Sequence, residues 1–100
     1  MKKMIRKLKK NSTMKENLLA LAEESSELSN ASLKMCRANN LINHPTPLTK
    51  EEAFENLLFE AADVLNCLEI LGIYINSDTI VKKRKAKLKR CIKRLEQINS

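Results

Sequence analysis

Two capping boxes set the points at which this chain begins its long helices. Thr13 is followed three positions later by Glu16, and Thr49 is followed by Glu52 at the same spacing. In such a pair each side chain satisfies a backbone amide that the first helical turn leaves unpaired. Behind the first box, apolar and small residues recur at helical spacing: Leu18, Leu21, Ala22, Ser25, Leu28, Ser32 and Cys36. The pattern predicts a first long helix over residues 14–38.

The remaining elements follow from similar start and stop signals. Residues 39–48 are polar and contain both prolines, which favours a loop. The second capping box then starts a helix that runs to Leu71, where Gly72 is well placed as a carboxyl-terminal cap. Ser77 and Asp78 offer a third start. The final helix carries its own apolar stripe: Ile80, Val81, Leu88, Cys91, Leu95 and Ile98. The chain is predicted to be all-α.

Composition agrees with helices and bounds the size of the fold. The chain has 100 residues, one glycine and three aromatic residues, while Leu, Lys, Glu and Ala are abundant. We expect a single all-α domain over residues 13–100. Residues 1–12 form a basic segment that either frays or makes a short helix. Because so few helices leave much helical surface without a partner, we expect a homodimer or homotetramer that completes a bundle.

Charge and cysteine content narrow the partners and the compartment. The net charge is +7, and Lys and Arg concentrate at residues 2–10 and 82–94. Such clusters suit polyanions, although most lysines in a basic run only solvate the surface. Cys36, Cys67 and Cys91 have neither zinc nor redox spacing, so we expect free thiols in a reducing cytoplasm. We expect neither a signal peptide nor a membrane-spanning segment.

Two acidic motifs stand on neighbouring predicted helices. The first is Glu23-Glu24-Ser25-Ser26-Glu27, and the second is Glu60-Ala61-Ala62-Asp63. Each places carboxylates three or four positions apart on one helix face. The three glutamates of the first motif fall within a wedge of about 100°, roughly opposite the apolar stripe. Taken alone, the first motif is also typical of a solvated surface.

The second motif has a more constrained setting. From Leu57 to Leu71 the helix is apolar nearly all round, which predicts burial. Buried carboxylates are costly unless they are paired or bound to metal, so Glu60 and Asp63 need a partner. One option is an ion pair with the basic final helix. The other is a divalent cation shared with the first motif, since Mg²⁺ prefers carboxylate oxygens.

The two motifs in this order, followed by a basic helix, resemble the all-α nucleoside triphosphate pyrophosphohydrolases of the MazG-like superfamily. That superfamily includes dimeric dUTPases and phosphoribosyl-ATP pyrophosphatase. The resemblance covers about residues 14–94. It implies a MazG-like helical bundle completed by homo-oligomerisation, with Mg²⁺ as cofactor and Mn²⁺ as a substitute. The implied reaction cleaves a nucleoside triphosphate to the monophosphate and pyrophosphate, as housekeeping of the nucleotide pool.

The resemblance also implies roles for individual residues. The metal ligands would be Glu24, Glu27, Glu60 and Asp63. Glu23 would orient the attacking water as a base, so Glu23 and Glu24 form the expected catalytic pair. Asn66 either contacts the nucleoside or makes a hydrogen bond in a helix interface. The basic helix would hold the substrate phosphates through four residues: Lys83, Arg84, Lys87 and Arg90.

A second function remains open from the sequence. The chain has the charge of a basic helical nucleic-acid-binding or regulatory protein whose carboxylates are structural. In that case it would bind DNA in a salt-dependent way and release no pyrophosphate.

Overall fold

The computed structural model describes residues 1–43 and 45–99; His44, which we expected in the loop, lies outside them. The described residues contain helices and no strand, which confirms the all-α prediction. Residues 1–12 were expected either to fray or to make a short helix, and the structure has the short basic helix. The four helices are α1 (Lys2–Lys10), α2 (Met14–Ala38), α3 (Lys50–Ile70) and α4 (Asp78–Asn99).

The three predicted helix starts are confirmed by their hydrogen bonds. The Thr13 hydroxyl accepts a bond of 3.1 Å from the Glu16 amide, and the Glu16 carboxylate accepts one of 3.0 Å from the Thr13 amide. Hydrogen bonding of the Glu16 carboxylate to the Thr13 backbone, followed by that to the Thr13 side chain, lowers the pKa of Glu16. The same reciprocal pair opens α3. At α4 the Ser77 hydroxyl accepts from the Ile80 amide at 3.3 Å. Side chains therefore define all three starts.

The ends of α2 and α3 use a residue with positive φ. At Gly72 φ is +84°. Its amide donates to Glu69 and the next amide, of Ile73, donates to Leu68, both at 2.9 Å. This is the pattern of a Schellman motif, which returns the chain from the helix and satisfies its last carbonyls. Asn40, with φ of +56°, plays the same part after α2.

Helices α2 and α3 pack side by side and form the α2–α3 hairpin. Ala31 of α2 and Ala53 of α3 are 1% and 0% exposed. Alanines at such positions let two helix backbones approach closely. Helix α1 packs against α3 and buries Ile5. Helix α4 stands apart: over the described residues, none of its Cα atoms lies within 8 Å of a Cα atom in the other three helices.

The single chain has little core. Among the described residues only Ile5, Ala31 and Ala53 are buried, while Phe59 is 69% exposed and Leu58 is 48% exposed. The accessible surface is 8464 Å², roughly 2,700 Å² more than the about 5,800 Å² expected of a compact chain of this mass. The radius of gyration is 17.2 Å, against about 13 Å for a compact domain of this length. The expectation that α3 is buried all round is therefore wrong for the single chain.

The three cysteines lie in helices, as the sequence predicted, and all are free. Cys36 and Cys67 are half-buried and Cys91 is exposed. None of the helices over the described residues combines the length with the apolar character needed to cross a bilayer.

Backbone strain at the end of α3 gives a test of the hairpin. Gly72→Ala should lower the free energy of unfolding by about 1 kcal/mol, because the left-handed conformation is sterically unfavourable for alanine. A clash is not the cause, since the nearest atom to an added Cβ is the Lys9 Nζ at 3.7 Å. Gly72→Asn is the matched control and should lose less, as Asn40 already adopts this conformation. Urea unfolding followed by circular dichroism measures both; equal losses would contradict this account.

Candidate metal centre

Three carboxylates meet where α2 faces α3. Glu24 comes from α2, and Glu60 and Asp63 come from α3. One oxygen from each residue lies within 4.8 Å of the oxygens from the other two. Glu60 and Asp63 are three positions apart, which sets them on one face of α3. We call these three residues the acidic triad.

Glu24 belongs to the interface between the helices and not to the outer face of α2. It precedes Ala31, the most buried residue of α2, by seven positions. Seven positions are nearly two full turns, so the two residues share a face. Glu24 is half-buried, whereas Glu23 and Glu27 are exposed. The expectation that all three glutamates lie opposite the packed face was therefore wrong for Glu24.

The two carboxylates of α3 differ in exposure. Glu60 is half-buried, and its Oε2 atom is shielded from solvent without a hydrogen-bond partner. Asp63 is exposed, which corrects the expectation that its neighbours bury it. The reason is that Phe59, one turn before Asp63, is itself 69% exposed and covers little. The triad thus has a shielded oxygen at its inner end and an open carboxylate at its outer end.

Desolvation and neighbouring like charges raise the proton affinity of Glu24. Desolvation, followed by the charges of Asp63, Glu60 and Glu23, raises the pKa of Glu24, and a hydrogen bond with Asp63 acts in the same direction. Burial, followed by the charges of Glu24 and Asp63, raises the pKa of the Cys67 thiol. A raised pKa means that the folded chain disfavours full ionisation of the triad.

The acidic triad fits a hard divalent cation. Carboxylate oxygens are the ligands that Mg²⁺ prefers, and a cation would satisfy the unpaired oxygen of Glu60 and offset the repulsion at Glu24. The alternative partner for Glu60 and Asp63, an ion pair with the final helix, is not formed within the described chain, because α4 packs against neither α2 nor α3.

The structure brings together part of the predicted site. Glu24, Glu60 and Asp63 meet, while Glu23 and Glu27 do not join them within 4.8 Å. Asn66 is exposed, one turn beyond Asp63. The four predicted phosphate-binding residues are exposed on α4, away from the hairpin: Lys83, Arg84, Lys87 and Arg90.

Cys67 neighbours the triad, although the sequence had not predicted a role for it in the site. Cys67 is close enough for the charges of Glu24 and Asp63 to affect its thiol. Its position four residues after Asp63 was the signal, since that spacing places two side chains on one helix face. The raised pKa keeps this thiol protonated at neutral pH, so it borders the site as a small, uncharged group.

Comparisons with protein-family models, curated proteins and solved structures found no match.

The raised pKa of Glu24 predicts a pH-dependent effect of its removal. A carboxyl whose pKa is raised in the folded state contributes most at low pH, and this contribution is lost as the pH rises through the raised value. Without divalent cations, Glu24→Gln should therefore melt at a higher temperature than the wild type at pH 7. The gain should shrink as the pH falls towards about 4, where the wild-type carboxyl is protonated as well.

Thermal unfolding in EDTA, followed by circular dichroism, measures this difference. Glu27→Gln is the matched control, because Glu27 lies on the same helix, is exposed and stands outside the triad. A gain for Glu24→Gln that is constant with pH would contradict the like-charge account.

Proposed function

We propose that this protein is a Mg²⁺-dependent nucleoside triphosphate pyrophosphohydrolase of the MazG-like kind, acting as a homo-oligomer on the nucleotide pool. The acidic triad carries the proposal. Its members come from two facing helices and stand at positions that the resemblance assigns to metal ligands. The proposal accounts for the raised pKa of Glu24 and for the shielded oxygen of Glu60, which have no role in a surface helix pair.

Each acidic residue has a part in this mechanism. Glu24, Glu60 and Asp63 would hold the cation, and Glu27, one turn along α2 from Glu24, would complete the ligand set. When bound, Mg²⁺ supplies positive charge to the triphosphate and makes a nearby water a better nucleophile. Glu23 is exposed beside Glu24 and accepts the proton from that water. The open side of the triad, at Asp63, leaves room for the phosphate chain.

The remaining predicted residues serve the rest of the substrate. Asn66 is exposed one turn beyond Asp63, and we assign it a hydrogen bond to the nucleoside. Cations beside the triad would stabilise the charge that develops during phosphoryl transfer. The nine cations of α4 do not reach the triad of their own chain. We therefore assign the phosphate contacts to α4 of another copy: Lys83, Arg84, Lys87 and Arg90.

A second candidate function rests on the basic helices. All nine Lys and Arg residues of α4 are exposed, as are the six of α1. Such a surface favours a nucleic-acid-binding or regulatory protein without catalysis. The acidic triad argues against it, because three carboxylates repel a phosphate backbone unless a cation intervenes.

Pyrophosphate release over a panel of nucleoside triphosphates, with and without Mg²⁺, tests the activity. We expect turnover only with the metal, and Asp63→Asn should reduce it by more than about 100-fold, because a ligand charge is lost. Glu96→Gln is the control, since Glu96 is exposed on α4, and should retain the rate. Absence of turnover in every condition, together with salt-sensitive DNA binding, would favour the second candidate.

Metal binding can be tested without any substrate. Mg²⁺ at about 100 times its dissociation constant should stabilise the wild type by about 2.7 kcal/mol through mass action. Asp63→Asn and Glu60→Gln should lose most of this increase, because each removes a ligand charge. Melting temperature against Mg²⁺ concentration measures the effect, and NaCl at matched ionic strength controls for screening. Equal stabilisation by the two salts would rule out a specific site.

A further inference from the structure

Charge is strongly segregated between α3 and α4, and over the described residues none of their Cα atoms lie within 8 Å of each other. Helix α3 holds six carboxylates and one lysine, whereas α4 holds nine cations and two carboxylates. Neither helix neutralises the other within the chain, because α4 stands apart from the rest over the described residues. Opposite charges on separate elements of one chain become complementary surfaces when two copies meet.

Helix α4 has an apolar stripe without a partner. On a wheel of 3.6 residues per turn, its apolar side chains other than Ala86 fall within an arc of about 120°. Leu88, Ile92 and Leu95, in the middle and last third of the helix, are 60%, 55% and 59% exposed. The opposite face is almost wholly basic. An amphipathic helix of this kind forms stably by covering its apolar stripe. Within residues 78–99 its own chain covers that stripe in part at Ile80 and Val81, which are half-buried, and leaves the rest exposed.

The hairpin offers an acidic groove of matching character. The groove lies beside the first half of α3, and Phe59, 69% exposed, and Leu48 provide its apolar part. Three carboxylates, Glu51, Glu52 and Glu55, line it, with Lys34 of α2 and Asn56 completing the lining. The groove therefore combines an exposed aromatic ring with concentrated negative charge. Its charge is opposite in sign to that of α4, and like α4 it has an exposed apolar part.

The groove is continuous with the acidic triad. Asn56, Phe59 and Asp63 are spaced by three and four positions, so they lie along one face of α3. A helix of 22 residues is about 33 Å long, longer than the two turns that separate Asn56 from Asp63. A basic helix seated in the groove can thus extend to the open side of the triad.

We propose that α4 of one copy docks in this groove of a second copy, and that the exchange is reciprocal in a two-fold dimer. The apolar stripe covers Phe59 and Leu48, while the flanking cations of α4 meet the three groove carboxylates. The single chain exposes roughly 2,700 Å² more surface than a compact chain of its mass. Obligate dimers bury an area of this order. Each triad then receives cations from the other copy; their use on substrate phosphates rests on the proposed function, whereas the interface does not.

The oligomeric state of the full chain is the first test. Between about 1 and 100 µM, the range in which a micromolar dimer assembles, sedimentation velocity should show the mass rising to twice the chain mass of 11.4 kDa. Leu88→Gln with Leu95→Gln should give a monomer, because both substitutions place amides in the docked stripe. Ala86→Gln with Lys93→Gln, on the opposite face of α4, should leave the dimer intact.

A charge-reversal exchange identifies the two surfaces. Glu51→Lys with Glu55→Lys reverses the groove, and Lys85→Glu with Arg94→Glu reverses the edges of the α4 stripe. Each variant alone should dimerise at least about tenfold more weakly. Mixed in equal amounts, the two variants should form a heterodimer of wild-type affinity, since one docked pair is native and the other has both charges reversed. This recovery also shows that both variants are folded.

Several outcomes would overturn the proposal. These are a monomeric wild type over the whole concentration range, a dimer that survives Leu88→Gln with Leu95→Gln, and a mixture that does not recover affinity. Binding of a monomeric wild type to phosphatidylserine vesicles or duplex DNA through α4 would assign the stripe to another partner. If the dimer passes these tests but releases no pyrophosphate, the proposed activity is wrong and the proposed interface stands.

Discussion

The close contact of α2 with α3 is the interaction on which the rest of the structure depends. Ala31 and Ala53 are almost fully buried, and their small side chains allow the two backbones to approach. That same approach places Glu24 against Glu60 and Asp63. The hairpin is therefore stabilised along one part of its length and opposed by like charges along another. A fold that retains such a conflict is typical of a functional site, where local stability is given up for chemistry.

The sequence predicted the helix bounds well because the capping residues that set them act locally. Capping boxes at Thr13 and Thr49 and a glycine after Leu71 each act within one helical turn, so the observed bounds agree with the predicted ones. Which face of a helix packs inward is a tertiary property. The predicted stripe is packed only in part: Leu28 is half-buried but Leu18 is 51% exposed. The interface centres on Ala31, which shares a face with Glu24. Small residues mark close contacts that hydrophobicity alone overlooks.

The sequence predicted the bounds of α3 better than it predicted the burial of its side chains. Apolar residues around the whole of α3 predict burial, but a chain can meet that demand with its own helices or with those of a neighbour. In the single chain Phe54, Leu58 and Phe59 stay about half exposed or more. The sequence thus predicted that α3 is covered without determining what covers it. The candidate site shares this ambiguity, since its carboxylates lie on one hairpin and its expected cations lie on a helix that does not reach it.

Metal binding and assembly would then act on the same excess of negative charge at different places. A cation at the acidic triad offsets repulsion between carboxylates that are partly withdrawn from solvent. A basic helix in the groove neutralises Glu51, Glu52 and Glu55, which are exposed, so its contribution is smaller per charge and more sensitive to salt. Because both are attracted by the same negative field along α3, occupation of one site should weaken occupation of the other. By linkage the effect is reciprocal: a metal that loosens the dimer must itself bind less tightly to the dimer than to the single chain.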